Sequence, residues 1–252
     1  MSRFRPRALT LLVGVALLRS GPLLSQTAPT YDDLSLLWLA YTGDHAIARG
    51  VSLVGDVQLR FVDFGAEPQQ FLARAGLLAD VGPGARAGGG YAYTLSYDYS
   101  EFTSDGKVPE HRIWQQLSLA HKSNAVAFHH RFRLEERWLA LADALAPETR
   151  DWTFQWRARY MLRATVPLHG APSRPGHLYA IGSDELFVKW GASQPTNLFD
   201  QNRLQLGVGV DLGRALRVEA TWLNQQVLRG DGSQRESGNG LLLALSSNAS
   251  LR

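Results

Sequence analysis

The chain has 252 residues, with 26 lysines and arginines, 23 aspartates and glutamates, and a formal net charge of +3. Arg3, Arg5, Arg7 and Arg19 fall in the first 25 positions, so the remainder carries 22 basic against 23 acidic groups, which argues against nucleic acid as a partner. There is no cysteine, which excludes disulfides and thiolate metal sites.

Residues 1–25 are expected to form a secretory signal peptide. Arg3, Arg5 and Arg7 make a positive start, residues 8–18 an apolar core, and Ser25 a small residue at the cleavage boundary. Arg19, Gly21 and Pro22 break the run before it reaches the length of a spanning helix. Residues 26–252 are then read as one domain, exported after cleavage.

Eleven candidate strands follow, near residues 34–42, 51–61, 71–80, 90–99, 110–120, 125–138, 153–166, 178–190, 203–212, 216–228 and 240–246. Most alternate with a period of two. In the second, Ser52, Val54, Asp56, Gln58 and Arg60 oppose Val51, Leu53, Val57, Leu59 and Phe61. In the fourth, Tyr91, Tyr93, Tyr97 and Tyr99 share one face. In the seventh, Thr153, Gln155, Arg157, Arg159, Met161 and Arg163 oppose Phe154, Trp156, Ala158, Tyr160, Leu162 and Ala164. Such alternation puts one set on each face of a strand. A polar face this rich in arginine suits an enclosed lumen better than the wet face of a sandwich. The expected fold is all-β: a single antiparallel up-and-down transmembrane β-barrel of ten to twelve strands.

Connections near residues 82–84, 122–124 and 213–214 are short, and those at 104–109, 141–150, 191–201 and 229–238 are longer. Short periplasmic turns and long extracellular loops are the usual asymmetry of outer-membrane barrels. Segments two to eleven make an even set of ten. The first, with Trp38 and Tyr41, is the odd one, to be placed as a stave at the closure, a periplasmic strap or a piece in the lumen. The chain ends Ser-Asn-Ala-Ser-Leu-Arg without an aromatic, and residues 241–245 are apolar on both faces, so the closing strand is expected to be atypical.

Three neighbouring segments direct a charged set inward. The fifth offers Glu110, Arg112, Trp114 and Gln116; the sixth His129, Arg131, Arg133, Glu135 and Arg137; the seventh Gln155, Arg157, Arg159 and Arg163. That is seven arginines against two glutamates, with Asp56, Asp98, Asp211 and Glu219 available across the lumen. A second candidate is the stretch 199–203, where Asp200, Asn202 and Arg203 lie close in sequence. No catalytic residue, metal site or cofactor is assigned. His129 and His130 point to opposite faces of a strand, as do Glu135 and Glu136, so neither pair shares a ligand.

Several strings together resemble one bacterial family. They are Trp38-Leu39-Ala40-Tyr41-Thr42-Gly43, Glu110-His111-Arg112-Ile113-Trp114-Gln115-Gln116, His130-Arg131-Phe132-Arg133-Leu134-Glu135-Glu136-Arg137, Asp184-Glu185-Leu186-Phe187, Phe199-Asp200-Gln201-Asn202-Arg203-Leu204 and Leu223-Asn224-Gln225. They look like the outer-membrane β-barrel proteins grouped as domain of unknown function 2490. The resemblance implies an outer-membrane barrel and no catalytic residue, because the family's activity is not established.

Two readings of function follow. In one, the arginine ladder lines a narrow pore favouring small anionic solutes. In the other, arginine–carboxylate networks fill the lumen and the barrel is structural. The runner-up is a lipid-modifying enzyme, since His121-Lys122-Ser123-Asn124-Ala125 resembles the His-x-Ser-Asn element of outer-membrane lipid A 3-O-deacylases, although it also reads as an ordinary Ser-Asn turn. A third option is a soluble periplasmic β-sandwich binding an anionic ligand. The expected setting is the outer membrane of a Gram-negative bacterium. The expected partners are outer-membrane lipid and the barrel-assembly machinery, with the protein a monomer.

Overall fold

The computed structural model describes residues 30–103, 106–141, 151–172, 174–191, 197–229 and 232–251. The expected signal at 1–25 lies outside these residues. Eleven strands are present: β1 (Thr30–Ala48), β2 (Val51–Val62), β3 (Glu67–Gly82), β4 (Ala85–Ser96), β5 (Val108–Ser123), β6 (Val126–Ala140), β7 (Trp152–His169), β8 (Leu178–Trp190), β9 (Phe199–Gly213), β10 (Leu216–Arg229) and β11 (Gln234–Ser247). They close into one barrel in the order β1-β11-β10-β9-β8-β7-β6-β5-β4-β3-β2. The fold is thus all-β, as the alternation requires, and the strand count falls within the expected range.

The first segment is the eleventh stave. Strands that alternate up and down in odd number leave the first and last running the same way. Closure therefore has to be parallel, and β1 pairs with β11 in parallel from Thr30↔Gln234 to Gly43↔Ser247. This corrects the expectation of a wholly antiparallel sheet: the other described pairings are antiparallel, and one seam is not. At the seam Gly240 lies opposite Leu36, where a Cβ would collide with the Leu36 carbonyl oxygen. Glycine there permits the close approach.

The connections divide between the two ends. Residues 49–50, 83–84, 124–125, 170–177 and 214–215 join strands at what we call the turn end. Residues 63–66, 97–107, 141–151, 191–198 and 230–233 join them at the loop end. Three long connections share the loop end, as expected. The stretch 229–238 departs from expectation: β11 starts at Gln234, so that connection is short.

The two faces of the wall differ sharply. Outward side chains such as Leu59, Leu77, Ile113, Phe132, Tyr160, Leu206, Trp222 and Leu243 are exposed on every side of the barrel. Towards the loop end, Trp138, Phe154, Trp156 and Trp190 follow one another around β6–β8 at centroid spacings of 5.3, 5.4 and 6.3 Å. Inside, β1, β2 and β10 contribute an apolar cluster of Leu36, Trp38, Val62 and Leu223, with Leu242 of β11 packed against it. On β5, the Trp114 indole enters a slot left by Gly76 and Gly90, where side chains would collide with its ring. Tyr99 does not share the outer face with Tyr91 and Tyr93. Strand β4 ends at Ser96, and the chain then turns over the mouth, packing Tyr99 on the apolar cluster.

Candidate functional site

Every lumen residue expected on β5, β6 and β7 faces inward. Glu110, Arg112, Arg133, Glu135, Arg137, Gln155, Arg157 and Arg159 are buried. Gln116, His129, Arg131 and Arg163 line the wall nearer the turn end. Register explains why they meet. Arg137 stands opposite Arg112 and Gln155, and Glu135 lies between Trp114 and Arg157 on the flanking strands.

The side chains form one ionic network. Glu110 accepts hydrogen bonds from Arg112 Nε at 2.6 Å and Nη2 at 2.8 Å, and is also paired with Arg137. Glu135 accepts from Arg157 Nε at 2.8 Å and from Arg159 Nη1 at 2.6 Å. Arg159 continues to Glu185, which also takes Arg131 at 2.9 Å. Arg157 continues to Asp200 at 3.3 Å, which pairs with Lys189 at 3.2 Å. Glu135 has 0% of its surface exposed. A carboxylate taken fully out of water needs this multiplicity of charged donors, because isolated burial would cost many kcal/mol.

Aromatic rings fill the space between the guanidiniums. Arg60 lies over the Trp38 ring at 4.1 Å, and Arg203 over both Trp38 at 4.9 Å and Phe187 at 4.7 Å. Arg159 lies over Phe187 at 4.5 Å, and Arg133 over Trp114 at 5.0 Å. Trp38, Trp114 and Phe187 are each at most 2% exposed. Cation–π contacts of this kind strengthen when desolvated. Trp38 Nε1 is itself satisfied, donating to Gln69 at 3.0 Å. Together these residues make a septum across the middle of the lumen.

A chamber lies on each side of the septum. The loop-end chamber is about 440 Å³ and the turn-end chamber about 830 Å³. Arg60, Arg159 and Arg203 border both. Part of the loop-end chamber's wall is the strap of residues 97–103. Tyr99 donates to Glu236 at 3.3 Å and accepts from Arg229 at 2.6 Å, while Ser100 donates to Glu236 at 3.0 Å. Burial pushes the Tyr99 phenol up to about 12, so it remains a neutral donor. The turn-end chamber holds smaller pairs: Arg74–Asp56 at 3.1 Å, Arg163–Glu219 at 2.6 Å and Arg217–Asp211 at 2.7 Å. Asp56, Asp211 and Glu219 thus offset lumen arginines as expected. Asp98 instead faces out near the strap, accepting from Thr103 at 2.9 Å.

The second candidate stretch is split. Asp200 and Arg203 are in the lumen, but Asn202 is on the outer face and donates to Asp184 at 2.7 Å. A register shift in the β8–β9 ladder inserts Asp200 as an extra residue, so Asp200 and Gln201 both turn inward. Such a bulge inverts the alternation on one side of itself. The lumen assignment of Asn202 is corrected: between inward Gln201 and Arg203 it takes the outer face by simple alternation, and the bulge changes only the side on which Asp200 falls. Sequence reading also left out Arg60, Arg74, Glu185, Lys189 and the aromatic fillers Trp38 and Phe187. Arg60 and Arg74 follow from period two alone. In β8, Tyr179, Ile181 and Phe187 are inward apolar residues among outward apolar neighbours, which hides the inward face of Glu185 and Lys189.

The His121–Ala125 element forms the β5–β6 turn, with Asn124 at φ 52°. His121 stacks on Phe128 at 5.1 Å and His130 at 5.3 Å on the outer wall. Among the described residues no hydrogen bond joins it to an acid or to Ser123.

Neither the curated proteins nor the solved structures contain a match to this chain. The family described as "Protein of unknown function (DUF2490)" matches residues 36–236, which take in the strings quoted above and all of the septum. The chain belongs to that family.

Proposed function

We propose that this protein is an outer-membrane β-barrel of a Gram-negative envelope whose lumen is closed at mid-height. It acts as a non-conducting wall with two solvent chambers rather than as an open pore. The septum carries this reading: a fully buried Glu135 held by two arginines, flanked by Trp38, Trp114 and Phe187. The membrane setting is supported by the apolar outer wall, since a soluble protein rarely exposes so continuous an apolar surface. Outer-membrane lipid would contact that wall, the assembly machinery would insert the monomer, and the long connections would face the exterior.

Two measurements test this. On cell fractionation the protein is expected in the outer membrane, released only by detergent; a protein soluble without detergent would contradict the membrane reading. Proteoliposomes are expected to swell in isotonic sugar or salt no faster than protein-free liposomes. Rapid, protein-dependent anion uptake would instead favour the second reading, an anion-preferring pore. That reading draws on Arg60, Arg159 and Arg203, which border both chambers and would line any path between them.

A further inference from the structure

We infer that the loop-end chamber is a binding site for one small solute carrying an oxyanion, a carboxylate or a phosphate, seated on Arg203. The inference rests on the closed lumen proposed above, because the septum is the floor of the chamber.

The first support is charge. Eight basic side chains border this chamber among the described residues, against two acids, Glu110 and Asp200. Adding the acids that lie just outside it and pair with its arginines, Glu135, Glu185 and Glu236, still leaves a surplus of three cations. The surplus is not spread evenly. Arg60 and Arg203 have no carboxylate within ion-pair distance among the described residues. Both are buried, at 7% and 8% exposure.

The second support is the state of Arg203. Arg60 is held on three nitrogens by Gln58 and Gln70. Among the described residues Arg203 makes a single hydrogen bond, from Nη2 to Gln201 at 3.2 Å, and its Nε is buried without a partner there. Its guanidinium lies over two rings, Trp38 and Phe187. Packing of this kind fixes the plane; Nη1 carries no hydrogen bond among the described residues and is not among the fully buried atoms, so the Nη1–Nη2 edge is the one open to a ligand. A guanidinium edge matches the two oxygens of a carboxylate or phosphate. An unpaired buried arginine is costly, and an anion on that edge would relieve the cost.

The third support is the surroundings. Gln225 donates to Gln201 at 2.6 Å, so an amide pair stands beside Arg203 on the chamber wall. The strap of Tyr99 and Ser100, tied to Glu236, stands over the mouth. A volume of about 440 Å³ is in the range of small-molecule sites.

The test is isothermal titration of the folded barrel in detergent at fixed ionic strength, using inorganic phosphate and galacturonate as probes. Arg203→Gln, Arg203→Lys and Arg86→Gln are compared with the native protein, each checked for folding by heat-modifiable migration. We expect saturable binding of at least one probe at one site, weakened about tenfold or more by Arg203→Gln and unchanged by Arg86→Gln at the turn end. Arg203→Lys, which keeps the charge but loses the fork, should weaken it by a smaller factor, and it serves as the test if Arg203→Gln does not fold. Preference for galacturonate identifies a carboxylate ligand, and preference for phosphate a phosphorylated one; either supports the site. Absence of saturable binding by both probes, or binding indifferent to both Arg203 substitutions, overturns it. A silent barrel that fails to bind sinks this inference alone, whereas a conducting barrel sinks the closed-lumen reading whatever it binds.

Discussion

The lumen has two flanks built on opposite principles. Along β5–β9 the inner wall is ionic, and nearly every acid is shared by two cations. Where β1, β2, β10 and β11 come together it holds an apolar cluster instead, with Leu36, Trp38, Val62 and Leu223 packed together. The flanks meet where Arg60 and Arg203 lie over Trp38. The contrast teaches how each closes space. A charged wall works only in matched sets, so losing one member leaves others buried and unpaired. An apolar wall works by fit, so losing one member leaves a void.

The sharpest way to break the comparison is Glu135→Ala. It leaves Arg157 without its closest acid and Arg159 with only Glu185, in the driest part of the barrel. We expect a loss of about 3–5 kcal/mol, read from the urea midpoint of the refolded protein. The apolar counterpart is Leu36→Ala, with an expected cost of about 2–5 kcal/mol from lost contacts and residual cavity. The two should differ in rescue. Adding Arg157→Met to Glu135→Ala should recover part of the loss, because it removes a buried charge left only with Asp200, which keeps Lys189; a double variant no more stable than the single would refute the matched-set account.

The seam gives the next effect. Gly240→Ala forces the parallel strands apart at Leu36 and should cost about 1–3 kcal/mol. Gly182→Ala meets only ordinary contact with Leu206 and should stay within about 0.5 kcal/mol. Equal effects in the same urea titration would mean that the seam is not closely packed. Among the ion pairs the smallest effect is expected at the turn end, where Arg86 and Asp44 are part exposed at 28% and 44% of their side chains. Arg86→Gln should change the midpoint by less than about 1 kcal/mol.

How far the sequence was legible follows the same division. The ladders β5–β6 and β6–β7 run without a register shift, so counting by twos from Glu110 to Arg163 places each side chain on its true face. In β9 simple alternation already sets Asn202 on the face opposite Arg203, and grouping the neighbours Asp200, Asn202 and Arg203 as one site overlooked it; the bulge at Asp200 is what no count by twos could show, since it returns Asp200 to the lumen beside Gln201. Parallel closure is not written in any one strand, since alternation is identical in both directions. It follows from the parity of the strand number, which no local pattern carries. The septum's rings were hidden for a related reason: an inward Trp38 or Phe187 looks in sequence like one more apolar wall residue. Only the register places them beneath Arg60, Arg159 and Arg203.

The central claim is that these rings and the Glu135 network close the lumen. Single-channel recording in planar bilayers tests it most directly, with the native barrel beside a Trp38→Ala/Phe187→Ala variant of matched folding. The account predicts a silent native protein and discrete steps from the variant, whose septum has lost its fillers. Stable conductance steps from the native barrel would contradict it.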